Sequence, residues 1–270
     1  MTASEAPPVL LSTTSVYPEP TPVAFELARR LGYDGVELMV FTDPVSQDAA
    51  VIKRLSDHYG VPVGAVHAPC LLMTQRVWSP DPWHRLRRSV EMADHLHAPM
   101  VVVHPPFTWQ KEYARRFPIV LDELESLFPH ITVAVENMYP VKMGKRKLRP
   151  YTPHWDPTRR GHNAYTLDFS HCAASGADAM EMAQRMGEKL RHIHLTDGTK
   201  PGLDEHLIPG RGNQPCARLL RQLALQGWDG AITVEVSTRK SGSRLQREAD
   251  LAESLEFARE AMAIQRLPSP

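Results

Sequence analysis

The chain has 270 residues, which is enough to bury a large core within one domain. Its 31 lysine and arginine residues balance 31 aspartate and glutamate residues, so no net charge draws it toward nucleic acid or an anionic membrane surface. Nowhere do about eighteen apolar residues run together, which excludes a membrane-spanning helix. We therefore expect one domain over residues 1–270 and no membrane partner.

The cysteines and the N-terminal residues both bear on the cellular compartment. The three cysteines show no paired spacing, which argues against a disulfide framework. The first residues, MTASEAPPVLLSTTSVYP, lack the basic region and the longer apolar run of a secretory signal. We expect a cytoplasmic protein.

Short apolar runs typical of buried strands alternate with amphipathic helical segments along the chain. One predicted helix ends at Gly32, and a later one has Pro82 near its start, where a missing N–H costs nothing. Strands are predicted at residues 9–14, 33–40, 62–69, 100–106, 132–138, 165–171, 190–195 and 230–237. Helices are predicted at residues 21–32, 46–59, 80–97, 111–128, 178–186, 218–225 and 248–265.

This strict alternation of strand and helix implies a parallel sheet. Eight such units favour closure into a TIM (β/α)8 barrel, whose usual length of about 250 residues is close to that of the chain. A doubly wound open sheet is the structural alternative.

Six of the predicted strands end in histidine or carboxylate side chains. In chain order these are His67, His104, Glu136, Asp168 with His171, His194 and Glu235, and the loop after His194 adds Asp204 and His206. The carboxyl ends of the strands in a parallel barrel meet at one mouth, where active sites of this fold lie. A divalent metal needs several such groups within about 2.0–2.3 Å of one point. The pattern therefore predicts a metal site at the mouth.

The strand-end residues also have structural interpretations. A glutamate in an apolar strand is costly to bury alone, which favours metal ligation by Glu136 and Glu235, and a structural salt bridge is the alternative. His67 and His104 precede Ala-Pro and Pro-Pro, where a hydrogen-bonded pocket histidine is a reasonable alternative to a ligand.

The later candidates leave similar alternatives open. Asp204 and His206 could cap a loop, and His171 could bind a substrate oxygen in place of a metal. We expect His192, which shares a strand with His194, to point away from the barrel interior and to be structural.

A basic, proline-rich segment at residues 139–162 replaces the helix expected after the fifth strand. Its basic residues are Lys142, Lys145, Arg146, Lys147, Arg149, Arg159 and Arg160, against the single acid Asp156. Its four prolines oppose a helix, and long loops in compact domains are usually lids, binding loops or disordered. Lys145 and Arg146 are therefore candidates for binding an anionic substrate, and a solvated loop is the alternative.

Three further residues are candidates for substrate binding. Arg211 lies in a glycine-rich loop at residues 209–215, which could present backbone N–H groups and a guanidinium to phosphate. Asn137 could orient Glu136 or contact a substrate hydroxyl. Trp109 closely follows the His104 strand and could stack on a sugar ring, although core packing is the commoner role of tryptophan.

Several of these motifs together resemble the xylose isomerase-like barrel superfamily. The resemblance runs from YDGVEL onward and is carried by VENM, LDFSH followed by CAASGAD, HIHLTD and GRGNQP. That superfamily includes sugar-phosphate isomerases and epimerases, and also the endonuclease IV enzymes of apurinic DNA repair, or AP endonuclease family 2. The resemblance implies a xylose isomerase-like TIM barrel over nearly the whole chain.

The resemblance also implies two sets of metal ligands. In the sugar enzymes of the superfamily one divalent metal is held by residues that match Glu136, Asp168, His194 and Glu235. In endonuclease IV relatives further ligands extend the site to three zinc ions, and the matching positions are His67, His104, His171, Asp204 and His206. The expected cofactor is therefore Zn²⁺ or Mn²⁺, as one to three ions.

The first functional hypothesis is a metal-dependent sugar or sugar-phosphate isomerase or epimerase. A cation would bind the carbonyl and an adjacent hydroxyl of a small carbohydrate and lower the cost of an enediolate, while Glu136 and Glu235 exchange a proton with carbon. The alternative is an endonuclease IV-like, zinc-dependent phosphodiester hydrolase acting on abasic DNA. Against it, residues 68–72 do not match the tyrosine-bearing loop of that family, and zero net charge is unusual for a DNA-binding protein. A non-catalytic barrel would leave nine ionisable positions unexplained.

Overall fold

A computed structural model of the chain describes residues 6–143 and 146–263, without the side chains of residues 142–147. Eight parallel strands close into a barrel, which confirms the predicted fold class. The barrel strands are β1 (Val9–Ser12), β2 (Gly35–Met39), β3 (Val63–His67), β4 (Met100–Val103), β5 (Thr132–Glu136), β8 (Ala164–Asp168), β9 (Leu190–Leu195) and β10 (Ala231–Val234). They are hydrogen-bonded in that order, and β10 pairs with β1 to close the ring.

Helices follow seven of the eight barrel strands in the described ranges. They are α1 (Thr21–Leu31), α2 (Ala49–Tyr59), α3 (Pro82–Leu96), α4 (Lys111–Leu127), α5 (Phe169–Ser175), α6 (Ala179–Met186), α7 (Cys216–Leu225) and α8 (Arg244–Met262). Helix α3 shows how the sequence sets a boundary: Pro82 is its first residue, and the side chain of Asp81 accepts a hydrogen bond from the Trp83 N–H. Among the described residues, no helix has both the length and the apolar character needed to cross a bilayer.

The segment at residues 139–162 contains no α-helix in its described part, in agreement with its four prolines. It carries a short antiparallel hairpin, β6 (Val141–Met143) with β7 (Arg146–Leu148), and a 3-10 turn at Pro157–Arg159. The segment is fastened to the loop after β4 by a bridge between Tyr151 and Phe107. It therefore lies over the carboxyl end of the barrel beside β4 and β5.

The strand predicted at residues 165–171 is shorter in the structure. Strand β8 ends at Asp168, and helix α5 begins at the next residue because Asp168 Oδ1 accepts a hydrogen bond from the His171 N–H at 2.6 Å. His171 is therefore in the first turn of a helix and not at a strand end. The N-cap aspartate that shortens the strand is itself one of the predicted metal ligands.

Side chains alternate between the two faces of each barrel strand. Outward-facing residues join the large core beneath the helices, which includes Leu11, Val36 and Val66. A separate small cluster fills the amino end of the barrel with Leu10, Ala65, Met100, Val102, Ala134 and Ala164. Because apolar side chains fill the amino end, the polar side chains of the barrel interior lie toward the carboxyl end.

A polar layer lies above that cluster inside the barrel. It consists of the fully buried side chains of Glu37, Thr166, His192, His194 and Thr233. The prediction that His192 points away from the interior was wrong, because residues two apart on a strand share a face. His192 and His194 both contact Glu37 inside the barrel.

Candidate metal centre

The structure brings the nine predicted ligands together at the carboxyl end of the barrel. Strand pairing places Asp168 directly beside His194. Glu136 is the last residue of β5, and Glu235 follows β10 with its N–H bonded to the Leu195 carbonyl. The side chains form three overlapping groups, named here the histidine group, the central group and the rim group.

The histidine group consists of His67, His104 and Glu136. The Nε2 atoms of His67 and His104 lie 3.2 and 3.1 Å from Glu136 Oε2. His67 is oriented by its other ring nitrogen, because Nδ1 lies 3.0 Å from the Ala68 carbonyl oxygen. An N–H donated to that carbonyl leaves the Nε2 lone pair facing the group.

The central group consists of Glu136, Asp168, His194 and Glu235, whose candidate ligand atoms all lie within 4.8 Å of one another. His194 Nδ1 is 3.1 Å from Glu136 Oε1, 3.0 Å from Glu235 Oε2 and 3.7 Å from Asp168 Oδ2. Three carboxylates thus converge on one ring nitrogen. Glu136 takes part in two groups through different oxygens.

The rim group consists of Asp168, His171 and His206, with Asp204 beside the two histidines. Asp204 Oδ2 lies 3.5 Å from His171 Nε2, and Asp204 Oδ1 lies 3.1 Å from His206 Nε2. The Nδ1 atoms of His171 and His206 lie 2.8 and 2.7 Å from the carbonyl oxygens of Asn137 and Glu235. As in the histidine group, Nε2 faces the candidate site.

Burial and mutual attraction set the charges of this cluster. Burial opposes ionisation of Glu136, yet the imidazoles of His194, His171 and His104 outweigh it and hold its pKa well below the usual range. Burial likewise opposes ionisation of Glu235, but His194 and His206 lower its pKa to about 2. The cluster therefore holds ionised carboxylates in the barrel interior.

The histidines respond in the opposite direction. Burial favours neutral imidazole at His194, but Glu37, Glu235 and Glu136 hold its pKa well above the usual value. In the same way Asp204 raises the pKa of His206 to about 10 against the effect of burial. Protons on the rings of His194 and His206 thus balance the charge of the carboxylates.

Two buried polar atoms in the cluster have no hydrogen-bond partner in the described part of the chain. One is Asp168 Oδ2 in the central group, and the other is His104 Nδ1. An unsatisfied buried carboxylate oxygen is costly, and burial raises the pKa of Asp168 to about 6. A divalent cation in the central group would satisfy Asp168 Oδ2 and allow it to ionise. The mixed imidazole and carboxylate donors suit Zn²⁺ or Mn²⁺.

The predicted substrate-binding residues, unlike the predicted ligands, do not all lie at the cluster. Arg211 pairs with Asp250 and Glu253 of helix α8 and so lies away from the cluster. The N–H groups of its glycine-rich loop do not face an open phosphate site, because those of Gly210, Gly212 and Gln214 donate to the buried carboxylate of Asp197. The Asp197 side chain therefore stabilises the turn of this loop.

Asn137 and Trp109 also have defined surroundings. Asn137 is fully buried, and its amide bonds the backbone of Asp168 through contacts of 2.8 and 3.1 Å. It therefore positions the end of β8. Trp109 is 56% exposed and stacks on Phe107, with 4.4 Å between the two ring centres. Lys145 and the side chain of Arg146 lie outside the described residues.

A cavity of about 730 Å³ opens beside Glu235 and His206. Its wall includes the loop after β1 with Tyr17, the loop after β2 with Phe41, and the segment after β10 with Arg239. A small molecule can therefore approach the central group from the side of Glu235.

Sequence reasoning missed Glu37 and Arg239. Glu37 carried a signal, because a lone acid in the apolar run VELM must find a partner when buried. That partner is His194, on a strand which is not adjacent in the sheet. Arg239 carried no comparable signal, since only the folded loops place it on the cavity wall.

Comparisons with known proteins agree with this architecture. Residues 25–261 match the family described as xylose isomerase-like TIM barrels. An uncharacterized protein of Mycobacterium tuberculosis is 48% identical over 268 residues, covering 92% of this chain and 95% of that protein.

Two sugar enzymes are also similar to the chain, one in the sequence of a short segment and the other in structure over most of its length. Fructoselysine 3-epimerase of Escherichia coli is 39% identical over 59 residues, which are 22% of this chain and 21% of the epimerase. The structure of D-psicose 3-epimerase from Clostridium cellulolyticum with D-tagatose has a TM-score of 0.70 at 14% identity, covering 94% and 99% of the two chains. At that identity the likeness concerns the fold alone.

Proposed function

Because the chain belongs to the family of xylose isomerase-like TIM barrels, we propose that it is a divalent-metal-dependent isomerase or epimerase of a small carbohydrate. The observation that carries the proposal is the placement of two ionised glutamates about one imidazole nitrogen. Glu136 and Glu235 lie 3.1 and 3.0 Å from His194 Nδ1. The local sequence similarity to fructoselysine 3-epimerase supports a sugar substrate.

The residues divide the chemistry among them. A divalent cation in the central group would polarise a sugar carbonyl and so acidify the neighbouring carbon. Glu235 lines the cavity and is ionised, so its carboxylate can accept a proton from substrate carbon. Glu136 lies deeper, 1% exposed, and is surrounded by imidazoles that can return a proton.

Whether one or both glutamates transfer the proton decides between isomerisation and epimerisation. If one glutamate takes the proton and the other delivers it to the opposite face of the same carbon, the product is an epimer. If one glutamate returns the proton to the adjacent carbon, the product is an isomer. Candidate ligand atoms of Glu136 and Glu235 lie within 4.8 Å of each other, which brings both carboxylates to one substrate.

Proton exchange in heavy water tests this proposal. The zinc- or manganese-loaded protein is incubated with a panel of ketoses and ketose phosphates, and deuterium at carbon is followed by NMR. We expect deuterium at the carbon next to the carbonyl of at least one sugar. Absence of exchange across the panel, in protein shown to hold metal, would contradict the proposal.

Arg239 supplies a place for an anionic group of the substrate. Its guanidinium lies on the cavity wall, 5.5 Å from the ring centre of Tyr17. No carboxylate in the described ranges forms an ion pair with it, so it is available to a phosphate or carboxylate. Phosphate in TIM barrels is often held by the loops after the last two strands, and Arg239 follows the last strand.

Replacing Arg239 with glutamine is expected to weaken binding of phosphorylated sugars selectively. Losing a charge-assisted hydrogen bond corresponds to about a tenfold or greater rise in KM for a ketose phosphate. The KM for the same ketose without phosphate should change little. Lys240→Gln is the matched control, and equal effects on both substrates would remove Arg239 from the anion site.

A second candidate function is zinc-dependent phosphodiester hydrolysis, as in the endonuclease IV family. The observation that favours it is the completeness of the three groups, in which Glu136 and Asp168 each serve two groups. Three neighbouring zinc ions can activate water and stabilise a leaving oxygen. Three tightly bound zinc ions per chain and cleavage of an abasic-site duplex would favour this candidate over the isomerase.

A further inference from the structure

The polar layer beneath the central group forms a continuous hydrogen-bonded chain inside the barrel. Glu37 is its centre and is 0% exposed. Glu37 Oε1 lies 3.0 Å from His194 Nε2, while Glu37 Oε2 lies 3.1 Å from Thr233 Oγ1 and 3.3 Å from His192 Nε2. His192 Nε2 is 2.8 Å from Thr233 Oγ1. Each member comes from a barrel strand, so the layer is rigid.

When His192 is neutral, only one arrangement of protons satisfies all four hydrogen bonds of the layer. A carboxylate accepts but does not donate, so Thr233 must donate its single O–H to Glu37 Oε2. Thr233 Oγ1 then accepts the His192 Nε2–H, which leaves His192 Nδ1 to accept from Thr166 Oγ1 at 3.4 Å. The remaining oxygen, Glu37 Oε1, accepts the His194 Nε2–H.

This arrangement decides which nitrogen of His194 is free. With the proton of its neutral ring on Nε2, the lone pair of His194 lies on Nδ1, which faces Glu136, Asp168 and Glu235. The opposite tautomer would aim an N–H at the central group and a lone pair at the Glu37 carboxylate. A cation can bind only the first tautomer.

We propose that Glu37 is the positioning residue of the metal centre, fixing the tautomer and ring orientation of His194, and that His192 and Thr233 in turn orient Glu37. This inference rests on the proposed metal centre but not on the identity of the sugar. It assigns a role to an acid and a histidine that lie below the ligands and outside the cavity. A carboxylate at this place also increases the basicity of His194 toward a cation.

The same side chains could be taken for an additional metal site, since Glu37, His192 and His194 have ligand atoms close together. The hydrogen-bond chain accounts for their contacts of 3.0 and 3.3 Å without an ion.

Zinc affinity and histidine NMR test the proposal in the full-length chain. Zn²⁺ alone is the probe, with its dissociation constant measured by chelator competition in the wild type, Glu37→Gln and Thr233→Val. We expect Glu37→Gln to weaken zinc binding about 10- to 100-fold, the range usual for partners of metal-bound histidine. Thr233→Val should weaken binding less, because it leaves the contact between Glu37 and His194 in place.

The NMR measurement reports the tautomer directly. In zinc-loaded, ¹⁵N-histidine-labelled wild type, His194 should show a protonated, hydrogen-bonded Nε2 and a metal-bound Nδ1. In Glu37→Gln the Nε2 proton signal should move toward that of a weaker hydrogen bond or exchange away. Circular dichroism identifies variants that fail to fold, in which case Thr233→Val carries the test. Asp250→Asn, a buried carboxylate on helix α8, is the control for general loss of stability.

Two results would overturn the proposal. One is a folded Glu37→Gln protein with wild-type zinc affinity and an unchanged His194 Nε2–H signal. The other is loss of one zinc ion per chain in both Glu37→Gln and His192→Gln, which would make this layer a metal site. A wild type that binds no zinc would contradict the metal centre itself, so the two failures are distinguishable.

Discussion

Replacing Glu136 with glutamine is expected to remove most of the bound metal and to lower turnover by about 10³-fold or more. The two oxygens of Glu136 lie within 3.2 Å of four imidazoles: His67, His104, His171 and His194. A glutamine amide has similar size, but it carries no negative charge and cannot join two metal positions through two anionic oxygens.

The measurements are metal content by elemental analysis, proton exchange in heavy water, and circular dichroism for the fold. Glu123→Gln, an exposed carboxylate on helix α4, is the control and should behave as the wild type. Glu136→Asp should retain part of the metal, because it keeps the charge at a shorter reach. A folded Glu136→Gln protein with full metal content and full turnover would exclude Glu136 from the centre.

Replacing Glu235 with glutamine should abolish proton exchange while leaving the barrel folded. Glu235 is the member of the central group that lines the cavity, so its carboxylate is the one that substrate meets first. Removing a general base typically costs about 10²- to 10⁴-fold in rate. Metal retention should also weaken, but less than in Glu136→Gln, because Glu235 belongs to one group only.

Glu205→Gln is the matched control for Glu235. Glu205 lines the same cavity but binds Thr199 and lies outside the three groups. Its replacement should leave proton exchange close to that of the wild type. If both variants lost exchange equally, the effect would belong to the charge of the cavity and not to Glu235 as a base.

Much of the fold follows from the sequence because strand and helix patterns alternate with clear boundaries. The convergence of the candidate metal ligands could be predicted for a related reason: strand ends of a parallel barrel meet at one mouth whatever their separation along the chain. His67 and Glu235 are 168 positions apart in the sequence, yet both lie at the carboxyl end of the barrel. The family resemblance then supplied the remaining candidate positions.

Other features depend on contacts that no local pattern contains. Whether Glu37 pairs with His194 depends on barrel closure, because strands β2 and β9 meet across the interior and not through the sheet. Arg211 resembled a phosphate ligand in the sequence, but the folded chain gives its guanidinium to Asp250 and Glu253. Loop geometry decides which arginine faces the cavity, and in this chain it is Arg239.

Elemental analysis of the purified protein after equilibration with Zn²⁺ or Mn²⁺ tests the central claim most directly. The account predicts at least one tightly bound divalent ion per wild-type chain and a marked loss of that ion in Glu136→Gln. One ion would agree with the isomerase or epimerase, and three zinc ions would favour the hydrolase. A wild-type chain that is folded but retains no divalent ion, with either metal, would contradict the claim that these side chains form a metal centre.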